Sequence, residues 1–197
     1  MKIIGLTGGI GMGKSTASAT FRRHGVPIFD ADQAVHALQA PGGRAVRPIE
    51  AAFPGTTRGG AVDREALRRA VLGSPAALKI LERIVHPLVR DAEKQFLAAA
   101  RRAGKSLVVL DIPLLLETGG EKRVDLVVVV SAPAAVQAVR VLRRPGMTAE
   151  RLAAIRARQM PDAAKRRKAD VVIHSGLSRH FAVVQLKRLL LRLREPS

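Results

Sequence analysis

Cysteine, tryptophan and tyrosine are absent from this 197-residue chain. Without cysteine there is no disulfide framework and no thiolate metal site, a composition suited to the reducing cytosol. Aromatic residues make up only 3%, so the stacking platforms that single-stranded nucleic acids require are nearly missing. No apolar run approaches the roughly 20 residues of a membrane-spanning helix. The first apolar run is short and passes straight into a glycine loop, so a signal peptide is not expected either. Acidic residues are scarce as well: 16 against 34 Lys plus Arg, a formal charge of +18. That balance invites polyanionic partners. The basic residues are scattered as pairs, however, such as Arg22-Arg23, Arg68-Arg69 and Arg143-Arg144, and the longest run is Lys165-Arg166-Arg167-Lys168. Solvated helix faces and polyanionic small-molecule substrates account for such a pattern. The expectation is a cytoplasmic protein with no membrane and no specific nucleic-acid partner, a monomer or weak homo-oligomer.

Hydrophobic residues at 47% indicate a globular chain, long enough for one nucleotide-sized domain with room for an insertion. The most informative stretch is Gly8-Gly9-Ile10-Gly11-Met12-Gly13-Lys14-Ser15-Thr16, which fits G-x-x-x-x-G-K-[ST]. Lys2 to Thr7 before it reads as a buried strand, and Ser15 to Arg23 after it can wind as a helix. In that context the glycines let backbone N–H groups turn inward on the β- and γ-phosphates, and the helix N-terminus adds partial positive charge. Lys14 would reach the β/γ oxygens and the Ser15 hydroxyl would bind Mg²⁺. The nucleotide-binding residues are thus Gly8, Gly9, Gly11, Met12, Gly13, Lys14, Ser15 and Thr16.

Further strands are expected at Val26 to Asp30, Ser106 to Asp111, Val124 to Val130 and Asp170 to Ile173. These are mostly continuous Val/Leu/Ile runs suited to strands covered on both faces. Between the second and third strands lie helical segments only: Asp32 to Leu38, Arg44 to Phe53, Asp63 to Leu72, Pro75 to Val85 and Pro87 to Arg102. Asp63 and Ser74 stand at N-cap positions, with Pro75 at a first helical position. Ala134 to Lys168 is a long basic helical stretch with a helix start at Thr148, and a last helix runs from Ser178 to about Arg194. The fold class is α/β, a P-loop NTPase fold with a five-stranded parallel sheet flanked by helices. Its core comprises residues 1–31, 105–133 and 169–197. A helical substrate-binding insertion spans 32–104 and a helical lid spans 134–168.

Asp30-Ala31-Asp32 follows the second strand, and ligands of open α/β sheets sit beyond the carboxyl ends of the strands. A kinase acting on an alcohol needs an acceptor for the hydroxyl proton. Asp32 is the better placed of the pair, although the same residue is suited to capping the helix that begins at Gln33. Arg140 and Arg144, one helical turn apart in the basic stretch, can stabilise a moving phosphoryl group from a lid or can be solvated-face arginines. Asp111, ending an apolar strand, resembles a Walker-B carboxylate that holds Mg²⁺ through water. Glu117 reads as structural.

The chain resembles the dephospho-coenzyme A kinase family. The resemblance rests on Ile4 to Thr16, where Leu-Thr-Gly-Gly-Ile extends the generic loop. It continues through Phe29-Asp30-Ala31-Asp32, Leu81 to Pro87, Pro113-Leu114-Leu115-Leu116-Glu117, Arg140, Arg144, Thr148, Gln159 and Ala169 to Ile173. These pieces span nearly the whole chain. The resemblance implies that ATP, with Mg²⁺, phosphorylates the ribose 3′-hydroxyl of dephospho-coenzyme A to give coenzyme A and ADP. It implies Asp32 as the base, with Lys14, Arg144 and Arg140 neutralising charge. The insertion becomes the coenzyme-A-binding domain, with Arg68 and His86 as acceptor-site candidates; His86 alternatively shapes a helix junction before Pro87. The chain departs from the family pattern at Met12, where a small residue is usual, and at His174-Ser175-Gly176, which is one residue shorter. Other small P-loop kinases, acting on a nucleotide, shikimate or gluconate, share the loop but not its combination with Asp30-Ala31-Asp32. A P-loop nucleic-acid ATPase would exploit the charge.

Overall fold

The computed structural model describes residues 1–194. In chain order the elements begin with β1 (Lys2–Thr7), α1 (Lys14–Arg23), β2 (Ile28–Asp30), α2 (Ala31–Gln39) and α3 (Val46–Ala52). Next come β3 (Thr57–Arg58), β4 (Ala61–Val62), α4 (Arg64–Val71), α5 (Pro75–Arg102) and β5 (Leu107–Asp111). After a 3-10 turn at Gly120–Arg123 follow β6 (Leu126–Ser131), α6 (Ala134–Leu142), α7 (Ala149–Arg158), α8 (Asp162–Arg167), β7 (Val171–His174) and α9 (Arg179–Arg194). The chain divides into two compact units, one of Met1–Ile28 with the chain from Gly104 onward, the other Phe29–Ala103.

The main sheet has five strands in the order β2-β5-β1-β6-β7. Its inner pairs are parallel, with Ile4 opposite Val109, Leu6 opposite Val128 and Val130 opposite Ile173. Every residue of β5 is buried, as are five of the six residues of β6. Continuous apolar runs are what a parallel strand covered on both faces demands. Ile4, Leu6, Phe21, Val109, Val128, Ile173, Leu186 and Leu190 form one core cluster, in which α1 and α9 pack on the sheet. The expected positions of the main strands hold to within two residues at each end. The long basic stretch is three helices, α6 to α8: the expected start at Thr148 is the cap of α7, and Pro145-Gly146 and Met160-Pro161 separate the three.

The second unit has its own core of Leu38, Ala45, Ile49, Phe53, Val62, Leu67 and Val85. Two features of it differ from the sequence expectation. A small antiparallel pair, β3 with β4, lies within a stretch expected to be helix and loop only; two-residue strands carry too short a pattern to be read. The segments expected on either side of His86 form one helix of 28 residues, with Pro87 inside it. An interior proline costs about 3 kcal/mol. Leu81, Ile84, Leu88 and Val89 pack on the core beside buried Val85 while Pro87 faces outward. At about 1 kcal/mol or more for each such side chain, burial outweighs the missing hydrogen bond. His86 therefore shapes no helix junction.

Candidate active site

Glycines shape the loop after β1. A Cβ on Gly8 would lie 2.6 Å from the Val130 carbonyl oxygen, so the loop leaves the sheet against the backbone of β6. Gly13, the N-cap of α1, has φ 93°, in the left-handed region that glycine adopts without strain. The helix that follows is open at its start: α1 has no side-chain cap and no acidic residue in its first turn. Asp30, Asp63, Ser74 and Thr148 cap α2, α4, α5 and α7, whereas α3, α6 and α8, like α1, have no side-chain cap; α1 alone of these four has glycine as its N-cap. The Thr16 N–H turns back to the Gly13 carbonyl at 3.0 Å, whereas among the described residues those of Lys14 and Ser15 have no partner, so this end of a ten-residue helix is a ready anion site. Ser15 is exposed at that end.

Lys14 is ion-paired with Asp111, the last residue of β5. The Asp111 carboxylate is buried, and its second oxygen accepts from the Ser18 hydroxyl at 2.5 Å. Ser18 stands one helical turn after Lys14, which puts both side chains on the face of α1 toward β5. Sequence reasoning passed over Ser18; a serine at i+4 from the loop lysine is the signal it left. Ser15 and Asp111, both oxygen donors, suit the hard cation Mg²⁺, although Asp111 faces Lys14 and Ser18 here.

Arg140 is not a free lid arginine in this structure. Its guanidinium donates to the Ser175 carbonyl at 2.6 Å, to the Ser175 hydroxyl at 3.0 Å and to the Gly11 carbonyl at 3.5 Å. Ser175 in turn donates to the Met12 carbonyl at 2.5 Å. The segment where the chain departs from the family pattern thus fastens the phosphate loop from behind. The Met12 side chain is buried, its sulfur accepting from the Ala132 N–H at 3.2 Å, and it lines a cavity with Gly9, Gln137 and Gln159. Arg144 is exposed in the turn after α6, and among the described residues its side chain has no hydrogen bond or ion pair. Glu117, expected to be structural, forms a 2.9 Å ion pair with fully buried Lys165 and accepts from the Met160 N–H at 2.8 Å. Gln137 and Arg156 also join the loop's surroundings; a lone glutamine within the apolar sequence of α6 was their only signal.

In the second unit, Asp30 is the cap of α2: its carboxylate accepts from the Gln33 N–H at 3.0 Å. Asp32 sits inside the first turn, exposed, without that bond. The capping role open to Asp32 on spacing alone belongs to Asp30. Arg68 is exposed on α4 and pairs with Glu65 at 2.9 Å, a hydrogen bond that raises its pKa above the ordinary value. His86 lines a depression of about 650 Å³ on α5 with Lys79, Arg83, Arg90 and Lys94. Arg68 is not part of that depression.

The dephospho-CoA kinase family model matches residues 2–179. A dephospho-CoA kinase of Paramagnetospirillum magneticum is 68% identical over 84% of this chain and 78% of its own length. One from Mesorhizobium japonicum is 55% identical over 98% of both chains. Among solved structures, a Thermus thermophilus protein superposes with a TM-score of 0.85 at 36% identity, covering 98% of each chain. With the loop, the open helix end and the Lys14–Asp111 pair in place, and a family model spanning nearly its whole length, this chain belongs to the dephospho-CoA kinase family.

Proposed function

We propose that the chain transfers the γ-phosphoryl group of ATP to the ribose 3′-hydroxyl of dephospho-coenzyme A, giving coenzyme A and ADP, the final step of coenzyme A biosynthesis. The observation that carries this reading is the uncapped N-terminus of α1, with Lys14 held beside it by Asp111. An incoming β/γ-phosphate competes with Asp111 for the Lys14 ammonium. Exchange of that partner frees the Asp111 carboxylate, which with the Ser15 hydroxyl would hold Mg²⁺. When bound, the ion neutralises charge on the β- and γ-oxygens.

The 3′-oxygen attacks the γ-phosphorus, the bond to the ADP oxygen breaks, and the hydroxyl proton passes to Asp32. Asp32 suits this role because it is exposed and carries no cap bond. Lys14 and Arg144 offset the charge of the moving phosphoryl group, and exposed Arg144 is free to swing with a closing lid of residues 134–168. Arg140 contributes by holding Gly11 and Ser175. The 29–103 unit receives the acceptor, with Arg68 and His86 as candidate contacts for its phosphates. The reaction belongs in the cytoplasm, where ATP and Mg²⁺ are at hand.

The test is ADP release from Mg-ATP with dephospho-coenzyme A, beside adenosine, AMP, shikimate, gluconate and DNA. Turnover with dephospho-coenzyme A alone is expected. Silence with that acceptor, or hydrolysis stimulated by DNA and weakened steeply by salt, would sink the reading.

A further inference from the structure

We infer that Gln137 and Gln159 are positioning residues that clamp the Ile10 peptide of the phosphate loop from outside, and that Arg156 sets the orientation of Gln137. The Ile10 N–H donates to Gln159 Oε1 at 3.2 Å, and the Ile10 carbonyl accepts from Gln137 Nε2 at 2.8 Å. Both hydrogen-bonding groups of one residue are therefore held by amide side chains from the 134–168 segment. Gln137 is buried on α6, and its Oε1 accepts two bonds from Arg156 on α7, at 2.6 and 2.9 Å. A guanidinium only donates. The amide oxygen must then face Arg156, which leaves the NH₂ group for the Ile10 carbonyl.

The clamp has a consequence for the open side of the loop. The carbonyls of Ile10, Gly11 and Met12 accept in turn from Gln137, Arg140 and Ser175. In a planar trans peptide the next N–H points opposite to the carbonyl. Fixing the Ile10 and Met12 carbonyls outward therefore turns the N–H groups of Gly11 and Gly13 away from the clamp, as donors for an anion. Gly9 fits beneath the amides with little to spare: a Cβ there would lie 3.3 Å from Gln159 Oε1 and 3.5 Å from Gln137 Nε2. The clamp requires no contact of Gln137, Gln159 or Arg156 with the phosphates themselves. They pre-shape the cradle and link its form to the packing of α6 against α7.

This inference rests on the proposed function only in that the loop holds ATP phosphates. It is tested by the affinity for ADP measured calorimetrically, which needs no acceptor, with KM for ATP and for dephospho-coenzyme A measured alongside and a thermal melt for each variant. Gln137→Met and Gln159→Leu each remove about one hydrogen bond to the loop, so about a tenfold weaker affinity for ADP is expected. KM for ATP rises with it, while KM for dephospho-coenzyme A stays within about twofold, since the clamp acts on one substrate only. Arg156→Met weakens ADP less than Gln137→Met, and the double variant is no weaker than Gln137→Met alone, because Arg156 acts through Gln137. Arg156→Lys, which still donates to Gln137 Oε1, restores part of the loss. ADP affinity unchanged in both glutamine variants, or losses that simply add for Gln137 and Arg156, would overturn the proposal. Arg156 is exposed, so its variants fold even where Gln137→Met does not, and an unchanged ADP affinity in Arg156→Met alone rejects the relay. A protein that binds ADP normally yet never turns over dephospho-coenzyme A defeats the proposed function while leaving this test intact.

Discussion

The Lys14 ammonium is ion-paired with the Asp111 carboxylate, joining the end of the phosphate loop to the C-terminal end of β5. The pair is unequal in exposure: the Lys14 side chain keeps 20% of its surface accessible, Asp111 only 3%. The lysine is free to move to a phosphate and the carboxylate is not. Asp111→Asn keeps the shape and the Ser18 contact while removing the charge. A loss of about 1–3 kcal/mol in urea unfolding is expected, with more Mg²⁺ needed for half-maximal turnover. Wild-type stability and an unchanged Mg²⁺ titration together would remove Asp111 from the site.

Asp30 and Asp32 are two residues apart and should separate cleanly. Asp30→Ala deletes the cap on α2 and is expected to cost about 1 kcal/mol of stability. Asp32→Asn leaves that cap in place, so its melting temperature should match the wild type. Loss of the proton acceptor should lower kcat by about a hundredfold or more. A variant that keeps its kcat would return Asp32 to a surface role.

Glu117 and Lys165 form an ion pair in which the lysine is only 1% exposed. Breaking such a pair from one side strands a buried charge, so Lys165→Met should destabilise by about 3–5 kcal/mol in denaturant titration. Replacing both, as Glu117→Gln with Lys165→Met, should recover much of that. If the double replacement is as unstable as the sum of the singles, the pair is not the source of the loss.

Acid should act on the 29–103 unit through Glu50 and Asp63. The Gly55 N–H and the Thr57 hydroxyl hold Glu50 below its ordinary pKa of 4.5, and the Ala66 N–H at the start of α4 does the same for Asp63, ordinarily 3.8. A depressed folded pKa means the carboxylates contribute stability above the ordinary values, and lose it as pH falls through the lower folded ones. Unfolding free energy attributable to these two should therefore be level at neutral pH and decline as pH falls below about 5, Glu50 first and Asp63 after it. Asp63→Asn should flatten part of that decline, and an identical pH profile in the variant would assign it elsewhere.

Much of this was legible in the residues because it is locally encoded. Gly8, Gly13, Lys14 and Ser15 are fixed by spacing within a single turn, the strands by unbroken Val/Leu/Ile runs, and the caps by Asp63, Ser74 and Thr148 at helix starts. What surrounds the loop was not legible. Gln137 and Gln159 reach Ile10 across 127 and 149 residues, and Ser175 reaches Met12 across 163. A pattern of period two or 3.6 carries no trace of partners so far apart. Arg140 illustrates the difference: its position beside Arg144 suggested a lid role, whereas the fold turns it onto Ser175 and Gly11.

A phosphate loop between a strand and a helix, and a parallel α/β sheet with a helical insertion, can be read from the residues alone. Those follow from short-range backbone geometry and from the burial that apolar runs require. Other features come from the assembled fold: Asp30 caps α2 and leaves Asp32 without that bond, α5 runs unbroken through Pro87, and side chains beyond residue 130 hold the loop's carbonyls. Each depends on which of several locally acceptable choices gains the most from packing and from satisfying buried polar groups. That balance is struck only when distant segments meet.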